Sequence, residues 1–174
     1  AVAMPLQIAQ LTGSYVAVGL IGLIEVVPLI IFGLWGGAIA DSFNRKRVVI
    51  ASEIGLGICS LLLLLNARQA QPSLLPIYIV AFFFSAFDGL QRPSLESLLP
   101  LLLPTRLLPS AGAINSLKWN LTSIAGPAVG GIIAATVGVV YCYGFDVASY
   151  ALSALLLARL STRADTHERK PISA

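Results

Sequence analysis

Charge is what this chain has least of. Only 11% of its 174 residues are Asp, Glu, Lys or Arg, whereas a soluble domain carries about a quarter. So few charges cannot cover a water-facing surface, and a soluble globular domain is excluded. Histidine is nearly missing: His167 is the one copy, and it lies far along the chain with no metal-type neighbours. The two cysteines, Cys59 and Cys142, fall inside apolar stretches without ligand spacing and read as packing residues. There is no nucleotide-binding loop, no paired metal ligands and no nucleophile set. The expectation is therefore no enzyme, no cofactor and no metal. The net charge of +3 does not point to nucleic acid, because the basic residues collect where apolar runs end.

What fills the chain is hydrocarbon. Hydrophobic residues make up 57% of it and the mean hydropathy is +0.87. Runs of about 18 or more apolar residues recur, the length that crosses a hydrocarbon core of about 30 Å. No period-two alternation of a barrel is present, so helices must satisfy the backbone in lipid. The runs and their breaks divide the chain as follows. Residues 1–12 are the end of one helix and an outer loop, and 13–40 a second helix. A hairpin at 41–47 leads to a third helix at 48–65 and an outer turn at 66–73. The fourth helix covers 74–99, bent at Pro93 and stopped at Pro100. A loop at 100–109 holds Pro104 and Pro109, then come a fifth helix at 110–135, a turn at 136–140, a sixth helix at 141–160 and a polar linker at 161–174. If the spans alternate, Arg45, Lys46, Arg47, Arg106, Arg159, Arg163, Arg169 and Lys170 share one side and Arg68 alone takes the other. That asymmetry puts 41–47, 100–109 and 161–174 in the cytoplasm of a multi-pass membrane protein.

The hairpin is the most specific stretch. In GLWGGAIADSFNRKR at 33–47, Gly37 is followed four residues on by Asp41, and then by Arg45 and Lys46. Basic residues alone are common at cytoplasmic helix ends, but they do not account for the Gly–Asp–Arg spacing. The arrangement resembles the loop after the second helix in the major facilitator superfamily of transporters. It departs from that pattern at Ser42, commonly basic, and at Asn44, commonly glycine, a mild change because asparagine tolerates left-handed backbone. A second stretch, AGPAVGG at 125–131, is similar to the GPxxGG element of helix five in the exporter branches, here Gly126, Pro127, Gly130 and Gly131. Glycines four apart let another helix approach closely, and proline bends its own helix. Thr122 and Ala113 stand where the longer form of that element has further glycines. Together with PLQIAQLTGS and QRPSLESLLP, these stretches resemble the proton-linked drug- and siderophore-exporter branch, the branch of the enterobactin exporters.

The resemblance implies an all-α membrane protein: the N-terminal half of a twelve-helix bundle, with five complete spans and the tail of another. The rest of helix one and the six-helix C-terminal half would be missing from the chain. It also implies that Arg45 of the hairpin pairs with an acid on helix four, and Glu96 is the acid at that end.

Helix five has two faces at 100° per residue. Leu117, Leu121, Ile124, Ala128 and Ile132 share one arc, while Asn115, Lys118, Trp119, Thr122 and Gly126 share another. The second arc suits a helix that borders a cavity; tight packing against neighbours would explain its small residues but not Lys118. Charges inside spans are costly unless they face protein or water. Glu25 lies roughly 15 Å into helix two at 1.5 Å per residue, among Gly22, Gly33 and Gly36. It reads either as a carboxylate coupling to protons or as a structural, hydrogen-bonded acid. Asp146 shares a face with Ser149, Tyr150 and Ser153 and reads as structural. Asp88 has two candidate partners, Lys118 on the next helix and Arg92 one turn away. The sequon Asn120-Leu121-Thr122 lies inside a span and carries no glycan.

By resemblance, the intact protein is a secondary transporter for efflux of small amphipathic molecules, drugs or siderophores. It would work by alternating access with protons as the coupling ion, its partners being substrate, protons, the bilayer and the missing half. The competing expectation is a non-transporting helical scaffold, or a truncated and inactive transporter half.

Overall fold

The computed structural model describes residues 2–42, 44–102 and 104–159, the side chains at 36–42, 45, 96–102 and 105 lying outside that description. Among the described residues the chain is helical throughout, with no strand. The helices are α1 (Ala3–Thr12), α2 (Tyr15–Ser42), α3 (Arg45–Ala67), α4 (Leu74–Leu102), α5 (Leu108–Thr136) and α6 (Val139–Arg159), with a short 3-10 turn at Thr105–Leu107 before α5.

Each break has a local cause. Gly13 closes α1 in left-handed backbone at φ 62°, donating its N–H to the Ala9 carbonyl at 2.9 Å, a conformation that favours glycine. The Ser14 hydroxyl then accepts the Ala17 N–H at 3.4 Å and starts α2. Asn44 caps α3: its side chain accepts the N–H groups of Lys46 at 3.1 Å and Arg47 at 3.4 Å. Its backbone is extended, φ −62° and ψ 112°, so asparagine serves here as a cap and not as a stand-in for a left-handed glycine. With the cap at 44, α3 starts at Arg45, and the basic cluster forms the first turn of a helix where the sequence predicted a loop. At the far end of α3, the Asn66 amide donates to the Ser73 carbonyl and accepts the Ser73 N–H, both at 3.1 Å. That pair clasps the turn into α4. Pro100 does not stop α4, which continues to Leu102. Pro109 sits in the first turn of α5, where its missing N–H has no helical partner to lose.

Among the described residues four helical segments are long and apolar enough to cross a membrane: Tyr15–Trp35, Lys46–Ala67, Leu74–Leu95 and Val139–Arg159. The sequence predicted five. α5 has the length, at 29 residues, but Asn115, Lys118, Asn120, Thr122 and Ser123 dilute its apolar content.

α4 is the centre of the bundle, packed along α2 on one side and α3 on the other, while α3 packs in turn on α6. α2 and α4 run parallel. Tyr78 donates its hydroxyl to the Ala17 carbonyl at 2.9 Å, Ser85 donates to the Glu25 carbonyl at 2.6 Å, and Gly89 lies against Leu29 and Gly33. The Ser85 bond serves a turn that Pro28 interrupts, and a neighbouring hydroxyl is one of the ways a membrane helix tolerates proline. The apolar core collects at the end away from the basic cluster, where Met4, Ile8, Ile21, Leu63, Ile77 and Tyr143 meet. Outside it, large apolar side chains cover the bundle, among them Leu23 (67% exposed), Phe145 (75%) and Ile124 (76%). That is a surface for lipid rather than water. α5 stands at the margin, touching α6 and α1, and Ala134 is its one buried residue among those described.

Candidate functional site

Two groups of polar side chains lie in the half of the bundle toward the basic end, apart from the buried Tyr143–Gln7 hydrogen bond (2.8 Å) at the other end. One lies inside the packed helices. Glu53 of α3, 9% exposed, accepts on Oε1 from Gln91 Nε2 of α4 at 2.8 Å and from the Ser153 hydroxyl of α6 at 2.9 Å. Its Oε2 is buried with no protein partner. Three helices are thus tied through one carboxyl group, in a medium where an unmet polar group is expensive. Sequence reasoning missed Glu53. The signal was there, since it is a lone acid inside an apolar run, but its partners stand 38 and 100 residues away. Asp146, predicted to be the structural hydrogen-bonding acid, does not have that role among the described residues. Ser149 bonds its backbone carbonyl at 3.0 Å, Tyr150 packs edge-on against Phe84, and Ser153 turns to Glu53.

The second place lies between α4 and α5. Arg92 pairs with Asp88 one turn back, Nη2 to Oδ2 at 2.9 Å, which decides between the two partners that the sequence left open for Asp88. Its guanidinium carbon also stands 4.7 Å from the centre of the Trp119 ring, within cation–π range. Lys118, next to Trp119, is exposed. Of the polar arc predicted for α5, Trp119 meets α4 through this contact, while Asn115, Lys118, Thr122 and Gly126 are exposed. Glu25 is half-buried on α2; its backbone carbonyl takes the Ser85 hydroxyl, and Asp88 follows Ser85 by three residues on α4.

The helix-five element is not packed as its glycines suggest. An added Cβ at Gly131 would meet nothing within 4 Å, and one at Gly126 would meet only Thr122 of its own helix at 3.8 Å. Gly130 alone has neighbours, Val2 at 4.0 Å and Cys142, whose Sγ lies 3.9 Å from the Gly130 carbonyl. Close approach is made elsewhere. A Cβ at Gly55 would lie 2.7 Å from the Phe87 ring, and one at Gly89 would lie 3.3 Å from the α2 backbone. Of the hairpin residues, Gly37 and Asp41 belong to the end of α2, Arg45 and Lys46 to the start of α3, and Glu96 to α4. The side chains of Gly37, Asp41, Arg45 and Glu96 lie outside the described residues. An apolar groove of about 340 Å³, lined by Ile24, Tyr78, Ile79, Phe82 and Phe83, opens between α2 and α4. Among the described residues no group of His, Cys, Asp and Glu has the geometry to hold a metal.

The family described as transmembrane secretion effector matches residues 1–172. Enterobactin exporters EntS of Escherichia coli O1:K1, Escherichia coli O157:H7 and Citrobacter koseri are each 35% identical to the chain over 159 residues, 91% of its length. The same alignment covers 38% of each exporter, so the chain spans about two fifths of the curated relatives it matches. No solved structure matches.

Proposed function

Because this chain belongs to the transmembrane secretion effectors of the major facilitator superfamily, a family of transporters and not of enzymes, we propose that it forms the N-terminal half of a proton-coupled exporter. Its substrates are small amphipathic molecules of the siderophore or drug class. The observation that carries the reading is the identity to enterobactin exporters over 91% of the chain, which runs through the hairpin, α4 and α5. The structure supports it with a polar, partly open α4–α5 surface, a face that a purely structural bundle would have no use for. The two halves rock about a central site, with Arg45–Arg47 and the 161–174 linker in the cytoplasm of a bacterial inner membrane. Gly37, Asp41, Arg45, Lys46 and Glu96 form the switch at that side. Gly126, Pro127, Gly130 and Gly131 let α5 move against the other half, and Glu25, Asp88 and Lys118 serve coupling or substrate.

The test is transport by the full-length protein in proteoliposomes. An imposed pH gradient should drive movement of a catecholate siderophore or a cationic dye, and collapse of the gradient should stop it. Cysteines at Asn44 and Gln71 should label from opposite sides. No gradient-driven movement of either substrate class would leave a scaffold or an inactive half as the better reading.

A further inference from the structure

α4 and α5 scarcely touch apart from one contact. Arg92 reaches across from α4 and lays its guanidinium over Trp119 of α5 at 4.7 Å, while Asp88 holds the Nη2 corner at 2.9 Å. The Arg92 side chain is nevertheless 50% exposed and Trp119 is 54% exposed. A guanidinium has five N–H donors in a planar fork. Asp88 takes one corner and the indole takes one face, so a second edge stays open toward the gap between the helices. Two contacts on the same group fix its orientation in advance, so a ligand on that edge does not have to order a flexible side chain. Lys118, exposed beside Trp119, adds a second cation.

The chemistry of the cluster narrows the ligand. Arg92 stands three residues inside the end of the apolar span Leu74–Leu95, where a lipid phosphate can reach the same charge, but a phosphate offers nothing to the indole ring. A carboxylate or catecholate is planar and pairs fork-to-fork with arginine. Paired in this way, an aryl anion lies in the guanidinium layer and carries its ring alongside the indole. An aliphatic anion would use the charge but not the ring, and a neutral aromatic the ring but not the charge.

We propose that Arg92, Trp119 and Lys118 form a substrate subsite for planar aromatic anions, with Asp88 positioning the Arg92 guanidinium. The proposal rests on the exporter reading for its place in the transport path, but binding tests it separately.

The experiment is fluorescence titration of the full-length transporter in nanodiscs with three probes: 2-naphthoate, 2-naphthamide and decahydro-2-naphthoate. 2-Naphthoate should bind about tenfold tighter than either comparator, the equivalent of one well-made charged pair or ring contact. Arg92→Lys keeps the charge but loses the fork, and should weaken 2-naphthoate about tenfold. Trp119→Leu should abolish the preference over decahydro-2-naphthoate, while Trp119→Phe should keep part of it. Thermal melting of each variant separates lost binding from lost folding. Should a variant not fold, the comparison of the three probes on the unsubstituted protein decides alone. Equal affinity for the three probes, or wild-type 2-naphthoate binding in well-folded Arg92→Lys and Trp119→Leu, overturns the subsite. If the subsite fails while gradient-driven export persists, the exporter reading stands without it; if 2-naphthoate binds as described but no substrate moves, the exporter reading falls and the subsite stands.

Discussion

Gly89 of α4 sits so close to Gly33 of α2 that a methyl group on it would lie 3.3 Å from the Gly33 amide nitrogen, and equally 3.3 Å from the Leu29 carbonyl oxygen. Both atoms belong to backbone, which gives way less readily than a side chain. The α2–α4 crossing therefore depends on hydrogen at this position, as membrane helix contacts commonly do. Gly89→Ala should destabilise the bundle by about 1 kcal/mol, and Gly89→Leu should prevent normal assembly. Gly22 is the comparison, since a Cβ there meets nothing within 4 Å; Gly22→Ala should leave the melting temperature of the purified protein unchanged or slightly raised. Equal melting temperatures for Gly89→Ala and the unsubstituted protein would show that α2 shifts freely.

The Glu53 tie gives a graded series. Ser153→Ala removes one interhelical hydrogen bond and should cost about 0.6 kcal/mol, the average for such bonds in membrane proteins. Glu53→Ala removes both bonds and leaves the Gln91 amide without its acceptor, at a cost of about 1–3 kcal/mol. Glu53→Gln keeps a carbonyl acceptor at nearly the same place and should fall between them. Unfolding in mixed micelles measures all three, and a double-mutant cycle between Glu53 and Ser153 should give a coupling energy distinct from zero. Additive effects would mean that the two residues act independently.

Glu25 and Lys118 are to be separated by what they change. On the proposed function, Glu25→Gln folds normally and flattens the pH dependence of export by the full-length protein. Lys118→Met instead weakens export of some substrates more than others. An unchanged pH profile in Glu25→Gln would make Glu25 a packing residue, with coupling located elsewhere in the protein.

The proposed switch at the basic end is checked by charge reversal. Arg45→Glu and Glu96→Arg should each reduce transport, and the double variant should recover it. A partly exposed pair of this kind is worth about 1 kcal/mol, enough to change the balance of two conformations several-fold. Normal expression without recovery would separate the two residues.

Much of this protein was legible without coordinates, because lipid leaves few choices. An apolar run of spanning length must become a helix, so low charge and recurrent runs determined the fold class. The breaks at 66–73 and around Gly138 were readable from their own turn residues, whereas the cap at Asn44, read as part of a loop, was not. The family also lay in the sequence, since the Gly37–Asp41–Arg45 spacing and the GPxxGG stretch are local patterns. What the tertiary structure decided is which residues meet. It paired Asp88 with Arg92, laid Arg92 over Trp119, and made Glu53 the tie between three helices where Asp146 had been expected to bond. It also showed that within this chain the tight glycine contacts are at Gly55 and Gly89, not on α5. Periodicity tells which face of a helix a residue occupies, but not which helix lies opposite or at what height. Those depend on how six helices pack at once, and a one-dimensional pattern does not contain them.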